Sequence, residues 1–253
     1  MTKLGGSGGH YESVAVDNRN EQQPIFFVTE DHDFGALRKY TPPYDASPPD
    51  WDTIHTEGGT TEFLLLTSDT EFEWTTDEEA ARYSQCENFS NAEGIDFHDG
   101  YLYFVSKVEH LLYVLDLDNG TYTKSSTKWG VMTNGGTFKN GPDQLVRNHG
   151  GEYLYLTEDG GDTAGVYAVH KSTGERYAIF EADSESYNDD ETTGLAFSPD
   201  GTKMYAAFQD CGCDCSGYDL DCGCLMEFSR DDGRSFDGST LELKYHGGSQ
   251  SLI

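Results

Sequence analysis

The sequence predicts an all-β chain, a β-propeller of four-stranded antiparallel blades, on three observations. The first is a period. Asn91-Ala92-Glu93-Gly94-Ile95-Asp96-Phe97 is echoed by Gly141-Pro142-Asp143-Gln144-Leu145-Val146 and again by Thr192-Thr193-Gly194-Leu195-Ala196-Phe197, so that Glu93, Asp143 and Thr193 follow one another at intervals of 50 residues. The second is alternation. Aromatic-rich runs such as Leu102–Val105, Tyr153–Leu156 and Met204–Ala207 follow each repeat start across a glycine turn (Asp99-Gly100, Gly150-Gly151, Asp200-Gly201), which is the pattern of antiparallel hairpins. The third is unit length, since units of about 40 to 50 residues with four strands each mark propeller blades.

Residues 1–10 read as a flexible lead-in and 11–253 as the propeller domain. The first blade opens at Tyr11–Asp17, where Glu12 takes the repeat position, continues with Ile25–Val28, and has its third strand near Ala36–Tyr40. Residues 41–90 break the period as an irregular insertion. Pro42-Pro43 and Pro48-Pro49 cannot join a central strand, Phe63–Thr67 supplies the outer strand, and Thr76-Asp77-Glu78-Glu79 has the form of a capping box opening a short helix through Arg82. The next two blades find their third strands at Leu112–Leu115 and Val166–Val169. In the fourth, a Cys-rich loop at 210–224 precedes a third strand at Leu225–Phe228, and Leu241–Tyr245 supplies the last. The count is about four blades.

Charge excludes some partners. With 46 acidic against 16 basic residues the net charge is −30, and nucleic acid and anionic membrane surfaces both demand a basic face. No membrane span is expected, because apolar runs such as Phe63–Leu66 fall far short of the roughly 18 residues a helix needs. The opening residues also lack the apolar core of a secretory signal. Six cysteines, an even number, fit an oxidising compartment. Five of them crowd between Cys211 and Cys224, where Asp210-Cys211-Gly212-Cys213 is duplicated as Asp221-Cys222-Gly223-Cys224. Disulfides are favoured there over a zinc or iron site, whose usual knuckle is Cys-x2-Cys. Asn-x-Ser/Thr triplets at Asn88 and Asn119 are a weak sign of export.

The candidate chemistry follows from the repeat. In an antiparallel blade the start of strand one and the end of strand two share a face. Glu12, Glu93 and Asp143 precede their first strands, while Glu30, Lys107 and Glu158 end their second, so all six are expected around one channel mouth, with Asp31 and Asp159 beside them. Two carboxylates about 5 Å apart at an effective dielectric of about 20 repel by roughly 3 kcal/mol, so such a group either retains protons or binds cations. All-oxygen ligation selects a hard ion, Ca²⁺ first. A strand-end carboxylate taken alone is ordinarily a solvated turn residue, and it is the recurrence that favours Glu12, Glu93, Asp143 and Glu158 as metal ligands. Lys107 reads as the ion-pair partner of Glu93. No G-x-S-x-G elbow, P-loop or H-E-x-x-H motif is present, so no catalytic nucleophile is assigned.

Tyr11–Asp17, Val28-Thr29-Glu30-Asp31, Glu93-Gly94-Ile95, Gly141-Pro142-Asp143, Leu156–Gly161, Phe197–Gly201 and Glu227–Gly233 stand in an order that resembles the PhoX-type alkaline phosphatases and their DUF839-like relatives, over roughly Glu12 to Gly233. The resemblance implies a six-bladed propeller, of which this chain reads as a part, exported to the periplasm or cell exterior. It implies hydrolysis of small phosphate monoesters with calcium and iron. Glu12, Glu93 and Glu158 fall on the family's acidic ligand motifs, and Asp143 is a weaker match. Two departures stand out: Tyr11 occupies the position of a family histidine, with His10 one residue further away, and the family's iron-bridging cysteine, which lies upstream of the first motif, has no counterpart here. The alternatives are a calcium-dependent lactonase-like propeller and a non-catalytic, calcium-stabilised binding module.

Overall fold

Four antiparallel sheets carry the chain, each a meander whose strands neighbour one another in sequence order. The computed structural model describes residues 4, 10–43, 50–52, 54, 58–85, 89–130, 132, 135–148, 150–160, 164–181, 191–209 and 223–236. Two units divide the chain, Met1–Ser126 and Thr127–Ile253, with two sheets in each. The meander is the strand order of a propeller blade, and the expected β-propeller class is the observed one, with four blades.

The first blade comprises β1 (Tyr11–Asp17), β2 (Ile25–Glu30), β3 (Arg38–Thr41), β4 (Thr60–Leu66) and β5 (Phe72–Thr75). The region read as an irregular insertion is therefore more regular than its prolines suggest. β4 begins at Thr60, and β5 adds a fifth strand in the register Leu64↔Trp74 and Leu66↔Phe72. Helix α1 (Glu78–Gln85) follows. Its cap is Asp77 rather than Thr76, because Asp77 Oδ1 accepts the Ala80 N–H at 3.0 Å.

The second blade is β6 (Ala92–His98), β7 (Tyr101–Ser106), β8 (Leu111–Asp116) and β9 (Thr121–Ser126). Asp99 and Gly100 both take positive φ, 47° and 85°, as a two-residue type I′ hairpin requires. The third blade is β10 (Gly141–Arg147), β11 (Tyr153–Asp159), β12 (Gly165–His170) and β13 (Arg176–Glu181), and the fourth shows β14 (Thr192–Phe197), β15 (Lys203–Phe208) and β16 (Cys224–Ser229). The expected last strand, Leu241–Tyr245, lies outside the described residues, as do positions 210–222 of the Cys-rich loop. Cys224, which opens β16, is disulfide-bonded.

Alternation explains the cores. In the first unit Leu64, Leu102, Phe104, Tyr113 and Leu115 are sealed from solvent within one apolar cluster, and fully burying a side chain of this size contributes about 1.5–3 kcal/mol. Phe104 stacks on Tyr113 at 4.8 Å, and Phe89 meets both edge-on. In the second unit Tyr155, Val166, Ala168 and Ala206 form the equivalent cluster.

One irregularity recurs in all four blades. The pairing of first with second strand slips between Tyr11 and Val14, between Ala92 and Ile95, between Pro142 and Leu145, and between Thr192 and Leu195. A bulge thus falls at each repeat position: Glu12, Glu93, Asp143 and Thr193. Bulges bend the strand and re-aim its side chains. The 50-residue period marks these bends as well as the strands.

Candidate functional site

Buried threonine hydroxyls hold the bulges. In the first blade Thr29 Oγ1 accepts the Ser13 N–H at 3.1 Å and donates to the Glu93 carbonyl at 2.5 Å. Thr29 therefore ties the bulge bearing Glu12 to the bulge bearing Glu93. Thr157 does the same in the second unit, accepting from Gln144 N–H at 2.8 Å and donating to Thr193 O at 3.3 Å. Both threonines are fully buried, so the bends are fixed by bonds shielded from water.

Within the first unit this scaffold brings Glu12, Asp31, Glu93 and Lys107 together. Carboxylate oxygens of Glu12 and Glu93 lie within 4.8 Å of each other. Lys107 Nζ sits 2.6 Å from Glu93 Oε1 and 3.9 Å from Asp31 Oδ2, making Lys107 the expected partner of Glu93. Asn91 orients Asp31 by donating from Nδ2 to Oδ1 at 2.6 Å. Glu93 is 2% exposed and Glu12 is open to solvent.

The electrostatics follow from that difference. Burial is the largest influence on Glu93 and pushes its carboxyl up to about 8, with Asp31 and Glu12 adding to the rise and Lys107 opposing it. Glu12 is also raised, first by partial burial and then by Asp31, against Lys107. Fully ionised, three carboxylates face one ammonium, an excess of two negative charges. The Glu12–Glu93 repulsion alone is about 3 kcal/mol at an effective dielectric of 20, and less where water reaches Glu12. A proton on Glu93 halves that excess, and a divalent cation cancels it. The donors are hard oxygens, which fit calcium.

The remaining sequence candidates are placed differently. Asp143 keeps its bulge position in the third blade, is 3% exposed, and accepts from Gln144 Nε2 at 3.2 Å. Glu158 is fully buried within the second unit. Its Oε1 accepts the Lys139 and Asn140 N–H groups at 2.7 and 2.6 Å, and its Oε2 accepts the Tyr167 hydroxyl at 2.8 Å. Tyr167 also reaches Glu181 Oε1 at 3.3 Å, and burial beside the two glutamates raises its pKa. Glu30, at the matching position of the first blade, accepts the Ala36 N–H at 3.0 Å and pairs with Arg82 at 3.1 Å and Arg38 at 3.5 Å. The second-strand glutamates thus anchor loops and cations of the fold. His10 contributes its carbonyl to Asp31 N–H at 2.7 Å, and its exposed ring lies 5.4 Å from that of His32.

No protein-family model matches the sequence, and no curated protein matches it. Similarity is found among solved structures. A crystal structure of a nidogen/laminin complex aligns with 79% of this chain and 60% of that one at 12% identity, TM-score 0.49. The crystal structure of a putative 6-phosphogluconolactonase from Bacteroides uniformis aligns with 86% of this chain and 56% of that one at 14% identity, TM-score 0.43. The chain therefore spans under two thirds of either relative's length. Among the described residues no helix is long and apolar enough to cross a membrane.

Sequence reasoning missed the threonines. Their signal was present, because Thr29-Glu30-Asp31 and Thr157-Glu158-Asp159 repeat the same three residues, and the acidic members drew attention away from the hydroxyl before them.

Proposed function

We propose that this chain is a calcium-dependent hydrolase of the PhoX type, acting on small phosphate monoesters. The observation that carries the reading is the Glu12–Glu93 pair, two carboxylates within 4.8 Å, one of them buried, with Asp31 and the Lys107 ammonium beside them. The order of the acidic motifs along the sequence supports the choice of family. The ligand candidates are the bulge residues: Glu12 and Glu93 in the first unit, and Asp143 by its equivalent position in the second. Glu158, expected as a ligand, is better read as the anchor of the 139–140 backbone. Carboxylate donors suit calcium more than the iron that the resemblance also implies.

When bound, the ion would supply Lewis-acid polarisation of a phosphoryl oxygen and a more acidic bound water. The chain's own part is to hold two carboxylates at a fixed separation through Thr29, to keep Glu93 in place through Lys107, and to shield it from water. The test is metal analysis of the purified protein with p-nitrophenyl phosphate hydrolysis before and after chelation. Stoichiometric calcium with turnover lost on chelation and restored by Ca²⁺ is expected. Turnover indifferent to chelation contradicts the proposal, and bound calcium with turnover of a lactone but not the phosphate ester replaces it with the lactonase reading.

A further inference from the structure

Asn119-Gly120-Thr121 forms an Asn-x-Thr triplet at the hairpin turn between β8 and β9. We infer that Asn119 is an N-linked glycosylation site, taking an oligosaccharide from a lipid-linked pyrophosphate donor. The inference rests on the export that the proposed family implies.

The turn is built to present this residue. Gly120 adopts a φ of 67° and donates its N–H to Asp116 O at 2.9 Å, closing a tight reversal that leaves Asn119 and Thr121 exposed. Asp116 Oδ1 accepts the Asp118 and Asn119 N–H groups at 3.1 and 3.0 Å, and its Oδ2 accepts Asn119 Nδ2 at 2.8 Å. These bonds hold Asp116 below the usual carboxylate range. The turn is pinned from the other side by Phe72 N–H donating to Gly120 O at 3.0 Å. The triplet beginning at Asn88 is different, since its central residue Phe89 is buried in the aromatic core. The disulfide at Cys224 is a separate sign of the oxidising compartments where such transfer occurs.

The chemistry balances without a redox partner. The Asn119 side-chain nitrogen attacks the anomeric carbon of the donor sugar. The new C–N bond replaces the anomeric C–O bond to the lipid pyrophosphate, which leaves, and one amide proton passes to a base on the transferase. A glycosylated amide retains one N–H, so the contact with Asp116 has a donor after modification. The Thr121 hydroxyl supplies the recognition element of the triplet.

The test is mass analysis of the chain isolated from its own organism, with attention to the tryptic peptide Val108–Lys124. A glycan-sized mass increase on that peptide is expected, lost in Asn119→Gln and Thr121→Ala and kept in Thr121→Ser. Unmodified peptide from protein recovered outside the cytoplasm overturns this inference and leaves the hydrolase reading standing. Unmodified protein recovered from the cytoplasm overturns both the glycosylation and the export it rests on.

Discussion

Replacing Thr29 with valine probes how the first unit sets its two acidic bulges. Valine nearly matches threonine in volume, so no cavity opens and the loss is polar. The Ser13 N–H and the Glu93 carbonyl lose the partner now 3.1 and 2.5 Å away. A buried polar group left unsatisfied costs about 1–3 kcal/mol. Ser13 is only half-buried, which lets water offset part of its loss, so the expected total is about 2–4 kcal/mol. Thr29→Ser keeps the hydroxyl and loses one methyl, about 1 kcal/mol. Equilibrium urea unfolding at fixed salt is the assay. With a slope of roughly 2–3 kcal/mol per molar, Thr29→Val lowers the midpoint by about 1 M and Thr29→Ser by a third of that. Calcium affinity falls in the valine variant as well, because Glu12 and Glu93 are no longer tied to one hydroxyl. A valine variant within about 0.5 kcal/mol of the parent, or a serine variant just as damaged, refutes the reasoning.

Glu158 gives a second contrast. Glu158→Gln keeps an acceptor for the Lys139 and Asn140 amides and costs about 1 kcal/mol, whereas Glu158→Leu strands both and costs about 2–5 kcal/mol, read by the same unfolding assay; equal losses would contradict the anchoring role. A third prediction concerns pH. The folded pKa of Glu93 is about 8, above its unfolded value, so the native state binds more protons and the calcium-free protein loses stability as pH rises from about 4.5 through 8. At 1.36 kcal/mol per unit, a rise from 4.5 to about 8 in which Lys107 is already counted makes the loss about 5 kcal/mol at most. Glu158 is shifted in the same direction, so the Glu93 share is the part of the slope that Glu93→Gln removes. A slope between pH 5 and 8 unchanged in that variant contradicts the assignment.

The fold was legible because a propeller blade is a local object. A 50-residue repeat, Asp99-Gly100 at a hairpin and alternating runs such as Leu102–Val105 are all written within one blade. β5 was less legible, since Phe72-Glu73-Trp74 is a short alternation overshadowed by the prolines before it. The Glu12, Glu93 and Lys107 grouping followed from the repeat and the pleat together. The separate fates of the acidic residues did not. Glu30 and Glu158 look like Glu12 in sequence, and only the positions of Arg38 and Arg82, or of the Lys139 and Asn140 amides, turn them into anchors. Those partners lie between 8 and 52 residues away on other elements, and no periodicity in the chain announces them. Thr29 was hidden for the same reason, because its second partner is a carbonyl 64 residues further on.

Calorimetric titration of Ca²⁺ into the chelator-stripped chain, beside Glu12→Gln and Glu93→Gln, tests the paired carboxylates most directly. Saturable binding in the parent is predicted, weakened about tenfold or more in each variant, a loss of at least about 1.4 kcal/mol. Equal affinity in all three proteins, or no binding in the parent, would contradict it.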